Sequence, residues 1–295
     1  MSGPGGRAHA RAALFCARLA LVLGFAAAAT TARAQQTGSV MAGSESEPVL
    51  ENEEQNVAKQ LANPVATLIS VPFQFNYDQG INPLDTGKRV TLNIQPVIPI
   101  TLTPDWNLIS RTILPVNWSD DLVLGSGRIV GTGDTMQSLF LSPAKPWNGI
   151  IWGVRPIGLL PTGSSDVYSD HQWGAGPTAV ALTQQGPWTV GALANHIWSF
   201  ASTGYPSPEV KATFIQPFIS YTTSDAWTFT LDTESTYDWI AKKWQVPING
   251  VVSKVVKIGP QLVSFALGAR YYATSPDAAA RGWGGRFTVT FLFPK

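Results

Sequence analysis

The chain has 295 residues, with 20 Lys and Arg against 19 Asp and Glu, and only 13% of its residues are charged. The formal net charge of +1 and the lack of a large basic patch argue against a nucleic-acid partner. The single cysteine is Cys16. Beyond it, the sequence excludes disulfides, cysteine nucleophiles and cysteine-bound metals.

Residues 1–34 have the pattern of a secretory signal peptide. Arginines open the segment, residues 19–29 are uninterruptedly apolar, and Ala32-Arg33-Ala34 fits a small-x-small cleavage site. This apolar stretch is shorter than the ~20 residues that a membrane-spanning helix needs. We therefore predict export and cleavage near Ala34. Cleavage leaves sixteen Lys and Arg against nineteen Asp and Glu, a net charge of −3.

Residues 35–63 form a polar, acidic segment that precedes the rest of the chain. It carries five glutamates between Glu45 and Glu54. Residues 57–62 have the composition of one or two helical turns, and Asn63-Pro64 is a stop signal for a helix. The segment is thus predicted to be a short helix or a plug, and one hypothesis is that it enters a lumen lined by arginines.

From residue 64 to 295 the sequence alternates strand-like runs with turn clusters, which predicts an all-β domain. We expect twelve antiparallel strands in an up-and-down transmembrane barrel, because single-chain bacterial barrels have even strand numbers. Their approximate ranges are residues 66–77, 88–100, 106–118, 133–142, 149–160, 173–184, 188–200, 210–222, 226–237, 243–253, 262–273 and 284–293.

Four tryptophans each follow a short turn, in the sequences TPDW, AKPW, QGPW and SDAW. They are Trp106, Trp147, Trp188 and Trp227, spaced by 41, 41 and 39 residues. A fixed period of this size indicates a repeated supersecondary unit. Indoles at one level are typical of the aromatic girdle of a membrane barrel, so the short turns are predicted to be periplasmic.

Strand length separates a membrane barrel from a soluble β-sandwich with core tryptophans. Trp106 and Trp118 share a strand face twelve residues apart, as do Trp227 and Trp239. Twelve residues at ~3.3 Å each span about 40 Å. A tilt of ~45° reduces that to roughly 28 Å, close to the ~25 Å apolar band between two girdles. Soluble strands average 5–6 residues. The predicted membrane girdle therefore consists of Trp106, Trp118, Trp147, Trp188, Trp227 and Trp239.

Strand phase also predicts which polar side chains face the lumen. An arginine facing lipid costs about 2–4 kcal/mol at the midplane, so charged side chains are expected inside. The predicted lumen lining is Asn93, Gln95, Arg111, Arg155, Gln216, Asp232, Glu234, Arg270 and Arg286. Two interpretations remain open: a polar pore that passes a solute, or a filled barrel held by arginine–carboxylate pairs.

Several stretches resemble a family of proteobacterial outer-membrane "transporter" proteins, often mislabelled neuromedin U, that is similar to the meta-pathway phenol-degradation barrels. The resemblance covers nearly all of residues 63–295. It includes SPAKPWNGIIWGV, FIQPFISYTT, TESTYDW and the ending RFTVTFLFPK. Members often carry G-L-G-D before a strand, where this chain has Gly131-Thr132-Gly133-Asp134. The resemblance implies a Gram-negative outer-membrane location.

Catalytic and metal sites are not expected. His196 shares its strand phase with Trp188 and Trp198, on the outer face, away from Ser199. His171 lies in a polar loop with Asp166 and Asp170, which we interpret as a solvated loop rather than a weak cation site.

We therefore expect a passive outer-membrane channel for small molecules, including hydrophobic or aromatic ones, with no cofactor, no metal and no catalysis. Its partners would be outer-membrane lipid, a small-molecule solute and, during insertion, the barrel-assembly machinery. The alternatives are a barrel-embedded lipid-modifying enzyme and a closed structural or adhesive barrel.

Overall fold

The computed structural model describes residues 46–294, with side chains from residue 53 onward, as a closed antiparallel β-barrel preceded by a helix. The expected signal peptide, residues 1–34, and its cleavage site lie outside the described residues. Helix α1 spans Ser46–Leu61 and ends before Asn63-Pro64. It begins earlier than residue 57, where the sequence indicated helical turns.

Fifteen strands form one sheet that closes through pairing of the last strand with the first. Their bounds are β1 Ile69–Ile81, β2 Gly87–Ile94, β3 Val97–Thr103, β4 Trp106–Asp120, β5 Arg128–Thr132, β6 Thr135–Pro143, β7 Ile150–Leu160, β8 Gln172–Gln185, β9 Trp188–Ser202, β10 Lys211–Thr222, β11 Trp227–Thr233, β12 Ser235–Asp238, β13 Lys243–Ile258, β14 Gln261–Thr274 and β15 Gly282–Phe293.

The barrel wall has twelve crossings, which we call staves. Three staves consist of two consecutive strands each: β2 with β3, β5 with β6, and β11 with β12. Both members of each pair lie against the same neighbour; β2 and β3, for example, both pair with β4. The predicted twelve-stranded antiparallel barrel is therefore confirmed.

Two of the three interruptions within staves coincide with an identifiable residue. Pro96 separates β2 from β3 and has no N–H to give to the ladder. Asp134 follows β5, and its carboxylate accepts hydrogen bonds from Gly163 N at 2.9 Å and Ser169 Oγ at 2.8 Å. The fourth stave begins at Arg128, five residues before the predicted start of the fourth strand at residue 133.

Connections alternate between short turns and longer loops, so the two barrel ends differ. The end with the turns before Trp106, Trp147, Trp188 and Trp227 is called the short-turn end, and the opposite end the long-loop end. Only Gly186-Pro187 joins β8 to β9. Gly186 has φ +57°, which a two-residue hairpin with glycine at its first central position requires.

The two faces of the wall differ in polarity. Along β11, Trp227, Phe229 and Leu231 are exposed on the outside, whereas Thr228 and Asp232 between them are buried. Apolar side chains cover much of the outer face, and the covered face carries polar side chains together with apolar ones such as Ile109 and Phe140. This is the alternation of a barrel whose apolar side faces outward.

The N-terminal segment, residues 53–68, packs against the inside of the short-turn end. Val57 and Ala58 are buried against Val255 and Leu292, near the ends of β13 and β15. Val65 packs against a second group of inward side chains that includes Phe140. The segment therefore occupies the lumen where the short turns lie.

Within residues 46–294, no helix is long and apolar enough to cross a bilayer.

Candidate functional site in the barrel lumen

The nine side chains predicted for the lumen lie on the covered phase of their staves. Buried side chains are Gln95, Arg155, Asp232, Arg270 and Arg286, and half-buried side chains are Asn93, Arg111, Gln216 and Glu234. The structure brings most of these residues into two groups, one around Glu234 and one around Arg111, and Asp232 belongs to both. The arginines of the first group have carboxylate partners, and those of the second group have none in hydrogen-bond contact among the described residues.

Glu234 is the centre of the paired group. Its Oε2 atom accepts a hydrogen bond from Arg270 Nη2 and another from Arg286 Nη2, each at 2.6 Å. Glu234 lies between β11 and β12, while the arginines come from β14 and β15. One carboxylate therefore links three staves. Charge-assisted contacts of this length are among the stronger hydrogen bonds in proteins.

Asparagines extend the network on both sides of Glu234. Arg270 Nε donates to Asn249 Oδ1 at 2.8 Å, and Asn249 Nδ2 donates to Asp232 Oδ1 at 2.8 Å. Arg286 Nε donates to Asn76 Oδ1 at 2.8 Å. Asn249 and Asn76 were absent from the predicted lining.

Asp78 is a second acid in the same network, and it too was absent from the predicted lining. Its Oδ1 accepts a hydrogen bond from Tyr272 Oη at 2.7 Å and lies 3.6 Å from Arg270 Nη1. Its Oδ2 lies 3.4 Å from Arg89 Nη2. The sequence of β1 could have indicated that Asp78 faces the lumen, because Gln74, Asn76 and Asp78 alternate with aromatic residues. With Asp78 included, the network reaches from β11 round to β2.

Arg111 belongs to the second group and faces a cavity of about 270 Å³ between the N-terminal segment and the wall. Its Nη2 donates to Gln95 Oε1 at 2.7 Å, whereas its Nε has no hydrogen-bond partner among the described residues. Gln216 and Asp232 also line the cavity, which places five staves around it.

Arg155 lies further round the same wall. It is 7% exposed, and its guanidinium carbon lies 3.1 Å from the ring centre of Phe140. Its Nε and Nη1 atoms have no hydrogen-bond partner within the described part of the chain. The charge acting on it is that of Arg111, which is a repulsion.

The N-terminal segment is held at the short-turn end by polar contacts as well as by Val57 and Ala58. Lys257 Nζ, at the end of β13, lies 3.3 Å from Glu53 Oε2. Gln184 Nε2 donates to the Lys59 carbonyl oxygen at 2.9 Å. Glu53 thus pairs with a lysine at the barrel end, and not with the lumen arginines named in the sequence hypothesis.

The tryptophans lie on the outer face near the two ends of the wall. Of the six predicted for the girdle, Trp147, Trp188, Trp227 and Trp239 are exposed, and Trp106 and Trp118 are half-buried. Five further tryptophans share the outer phase of their strands: Trp152 near the short-turn end, and Trp173, Trp198, Trp244 and Trp283 near the long-loop end. Trp152 packs edge-on against Trp106, with ring centres 6.1 Å apart.

His196 lies on the outer face among aromatic side chains. Its Nδ1 atom is 2.7 Å from Thr213 Oγ1, which also accepts a hydrogen bond from Trp239 Nε1 at 2.8 Å. Its ring lies 4.2 Å from that of Trp198. Ser199 Oγ instead accepts a hydrogen bond from Val210 N. His196 therefore packs among these aromatic side chains, and no hydrogen bond among the described residues joins it to Ser199.

Asp166, which contacts the loop histidine, joins two loops at the long-loop end through Tyr205. His171 Nε2 is 3.1 Å from Asp166 Oδ1, and Tyr205 Oη donates to Asp166 Oδ2 at 2.7 Å. The Tyr205 hydrogen bond is the main cause that holds the pKa of Asp166 below its ordinary value. The same bond raises the pKa of Tyr205. Burial is the main cause that raises the pKa of Asp170.

Among the described residues, no group of three or more His, Asp or Glu side chains is arranged to hold a metal ion.

The fold is similar to that of the COG4313 outer membrane channel from Pseudomonas putida F1. The two share 13% sequence identity over 77% of this chain and 96% of that one, with a TM-score of 0.59. Weaker similarity is found to the NanC porin (12% identity, 77% and 100% coverage, TM-score 0.45) and to the outer membrane phospholipase A from Escherichia coli (14%, 81% and 98%, 0.43). No family model and no curated protein match the sequence. At 13% identity the likeness to the COG4313 channel shows the fold alone, an outer-membrane type of β-barrel.

Proposed function

We propose that this chain is a passive channel of the Gram-negative outer membrane for small molecules, hydrophobic or aromatic ones among them. The observation that carries the proposal is the division of polarity across the wall. Arg270, Arg286 and Glu234 meet inside, while the outer face is apolar between two levels of tryptophan. A membrane barrel of this kind leaves its polar interior as the route for solutes, and the lining determines which ones pass.

The proposed route runs from the long-loop end, past the Glu234 network, into the cavity beside Arg111. Buried Arg270 and Arg286 occupy part of the cross-section. The N-terminal segment occupies the short-turn end. Twelve staves lie between eight, which side chains fill, and sixteen, which leave an open channel. The channel we propose is therefore narrow, and passage requires displacement of the N-terminal segment or a gap beside it.

The location, the lipid contacts and the family membership are parts of the same proposal. The two levels of tryptophan would be the membrane girdles, and the short turns would be periplasmic. Insertion would use the barrel-assembly machinery. Membership in the outer-membrane transporter family that the sequence resembles is supported by the barrel fold.

A closed structural or adhesive barrel is the second candidate function, and the buried network is the observation that favours it. An enzyme acting on lipids gains no support from His196, because its Nδ1 contacts Thr213 and its ring packs against Trp198. Incubating the purified protein and His196→Ala with phospholipid tests that alternative. We expect no hydrolysis by either protein, and hydrolysis lost in His196→Ala would support the enzyme.

Solute flux into proteoliposomes tests the channel. Vesicles containing the purified protein are expected to swell in isotonic arabinose faster than protein-free vesicles, and not to swell in the larger sugar stachyose. The matched control is the same protein inactivated by heating before reconstitution. Arabinose swelling no faster than in protein-free vesicles would favour the closed barrel.

A further inference from the structure

The loop between β7 and β8, residues 161–171, folds against the inner side of the barrel wall at the long-loop end. Ser119 on β4 pairs across the ladder with Arg89, whose guanidinium contacts Asp78 in the lumen. Directly paired residues share a face of the sheet, so Ser119 also points inward. Its hydroxyl group is in hydrogen-bond contact with that of Tyr168. The loop therefore reaches from β7 to the inner face of β4.

The segment Gly131-Thr132-Gly133-Asp134, at the end of β5 and the interruption before β6, receives this loop. Thr132 N donates to Ser164 Oγ at 2.9 Å, and Ser164 N donates to the Thr132 carbonyl oxygen at 3.0 Å. A Cβ atom at Gly131 would lie 2.5 Å from Ser164 Oγ and 3.2 Å from the ring of Tyr168. Glycine at position 131 thus permits a close approach that a larger residue would prevent.

Asp134 holds both ends of the inward part of the loop. Its Oδ1 accepts hydrogen bonds from Gly163 N at 2.9 Å and from Ser169 Oγ at 2.8 Å, and its Oδ2 accepts one from Asp170 N at 2.7 Å. Hydrogen bonds to an ionised carboxylate are stronger than those between neutral groups. Ser169 is consequently buried although it lies in a loop.

A second loop, residues 203–210 between β9 and β10, is joined to the first. Tyr205 Oη donates to Asp166 Oδ2 at 2.7 Å, and Ser207 Oγ donates to the carbonyl oxygen of Asp170. Movement of the β7–β8 loop away from the wall would therefore break contacts with this second loop as well as those with β4 and β5.

We propose that residues 161–171 form a constriction loop in the mouth of the lumen, held inward by Asp134, and that its position sets the size limit for solutes entering from the long-loop end. A loop folded inside a barrel reduces the free cross-section, and pore width decides which solutes pass. The inference deepens the proposed function, since it names an element that selects solutes by size, and it rests on that function. It also gives a role to the Gly131-Thr132-Gly133-Asp134 motif.

Hydrogen exchange of the purified full-length protein in detergent tests the role of Asp134. Asp134→Ala removes the acceptor of two backbone amides, so exchange within residues 163–170 is expected to become at least tenfold faster. Asp134→Asn keeps a carbonyl oxygen as acceptor and should have a smaller effect. Gly131→Val displaces the loop but leaves Asp134 in place, and it serves as the test if Asp134→Ala fails to fold. Asp105→Ala is the matched control, since Asp105 is exposed at the short-turn end, and it should leave this exchange unchanged.

Thiol labelling tests the size limit without requiring conduction. With Cys16→Ser and Asn117→Cys, the chain has a single thiol. Asn117 is 6% exposed and pairs with Gly131 beneath the loop. The labelling rates with N-ethylmaleimide and with the larger fluorescein maleimide are each divided by the rate of that reagent with free cysteine. We expect the larger reagent to be at least tenfold slower in this chain. Adding Asp134→Ala should reduce the difference to about threefold or less.

Equal exchange of residues 163–170 in the unchanged protein, Asp134→Ala and Gly131→Val would overturn the role of Asp134. Faster exchange with an unchanged labelling difference would show that the loop does not limit entry, and would overturn the constriction. Swelling in arabinose with an unchanged labelling difference would likewise contradict the constriction and leave the channel. A reduced labelling difference without any swelling would contradict the channel and leave the constriction.

Discussion

Replacing Glu234 with glutamine removes the carboxylate that two buried arginines share. Arg270 then keeps Asp78 at 3.6 Å and its hydrogen bond to Asn249. Arg286 keeps only its bond to Asn76. One cation, rather than two, therefore loses its counter-ion. Breaking a buried ion pair from one side costs about 3–5 kcal/mol. Since Arg270 remains paired, we expect a loss near the lower end, about 3 kcal/mol.

Urea unfolding of the refolded barrel in detergent, followed by tryptophan fluorescence, measures that loss. In a thermal unfolding experiment, a loss of about 3 kcal/mol in a domain of this size would lower the melting temperature by about 6–12 °C. Glu209→Gln is the matched control, because Glu209 is an exposed loop residue, and it should change stability by less than about 0.5 kcal/mol. If Glu234→Gln were as stable as the control, the carboxylate shared by Arg270 and Arg286 would not stabilise the barrel, contrary to what we infer from its two hydrogen bonds.

Deleting residues 35–56 removes Glu53 and most of α1, so conductance in planar bilayers is expected to rise; unchanged conductance would mean that the segment does not obstruct the lumen. The hydrogen bond from Tyr205 lowers the pKa of Asp166 in the folded protein. This contact therefore stabilises the two loops at pH values above the ordinary aspartate pKa of about 4, and its contribution is lost as the pH falls through the lowered pKa. Hydrogen exchange of loop residues 161–171 should therefore stay slow at pH 5 and quicken in Tyr205→Phe, whereas equal exchange in both proteins would refute the contact. All eleven tryptophans lie on or beside the outer face, so acyl-chain-brominated lipid should quench most tryptophan fluorescence; weak quenching would place the indoles away from lipid.

Period-two alternation was sufficient to predict the twelve staves, because the barrel geometry imposes it along the whole wall. Trp227, Phe229 and Leu231 alternate with covered residues in the sequence and in the structure alike. The interruption at Asp134 could not be predicted, because its cause is long-range. Asp134 binds backbone and side-chain groups of residues 163–170, whose proximity only the closed barrel creates.

Phase predicted which side chains turn inward but not which ones meet. Asp232, Glu234, Arg270 and Arg286 were placed on the lumen side from their own strands. Their contacts depend on stave register and stagger, which local sequence does not specify. Asn249 is the clearest omission: it bridges Arg270 and Asp232, yet an asparagine in a strand gives no sign of its partners.

The contrast between the two arginine groups was also beyond the sequence. Arg155 and Arg286 have the same strand phase and the same chemistry, but only Arg286 has a carboxylate within reach. Going round the wall, Glu234 lies three staves from β15 in one direction and four staves from β7 in the other. Pairing in a closed barrel is set by position around the wall, and position follows from closure.

Single-channel recording of the purified protein in planar bilayers tests the central claim most directly. We expect discrete, small conductance steps, and a larger conductance in Glu234→Gln, where the link from Glu234 to Arg270 and Arg286 inside the lumen is broken. A folded barrel that inserts into the bilayer and passes no current, both unchanged and as Glu234→Gln, would contradict it.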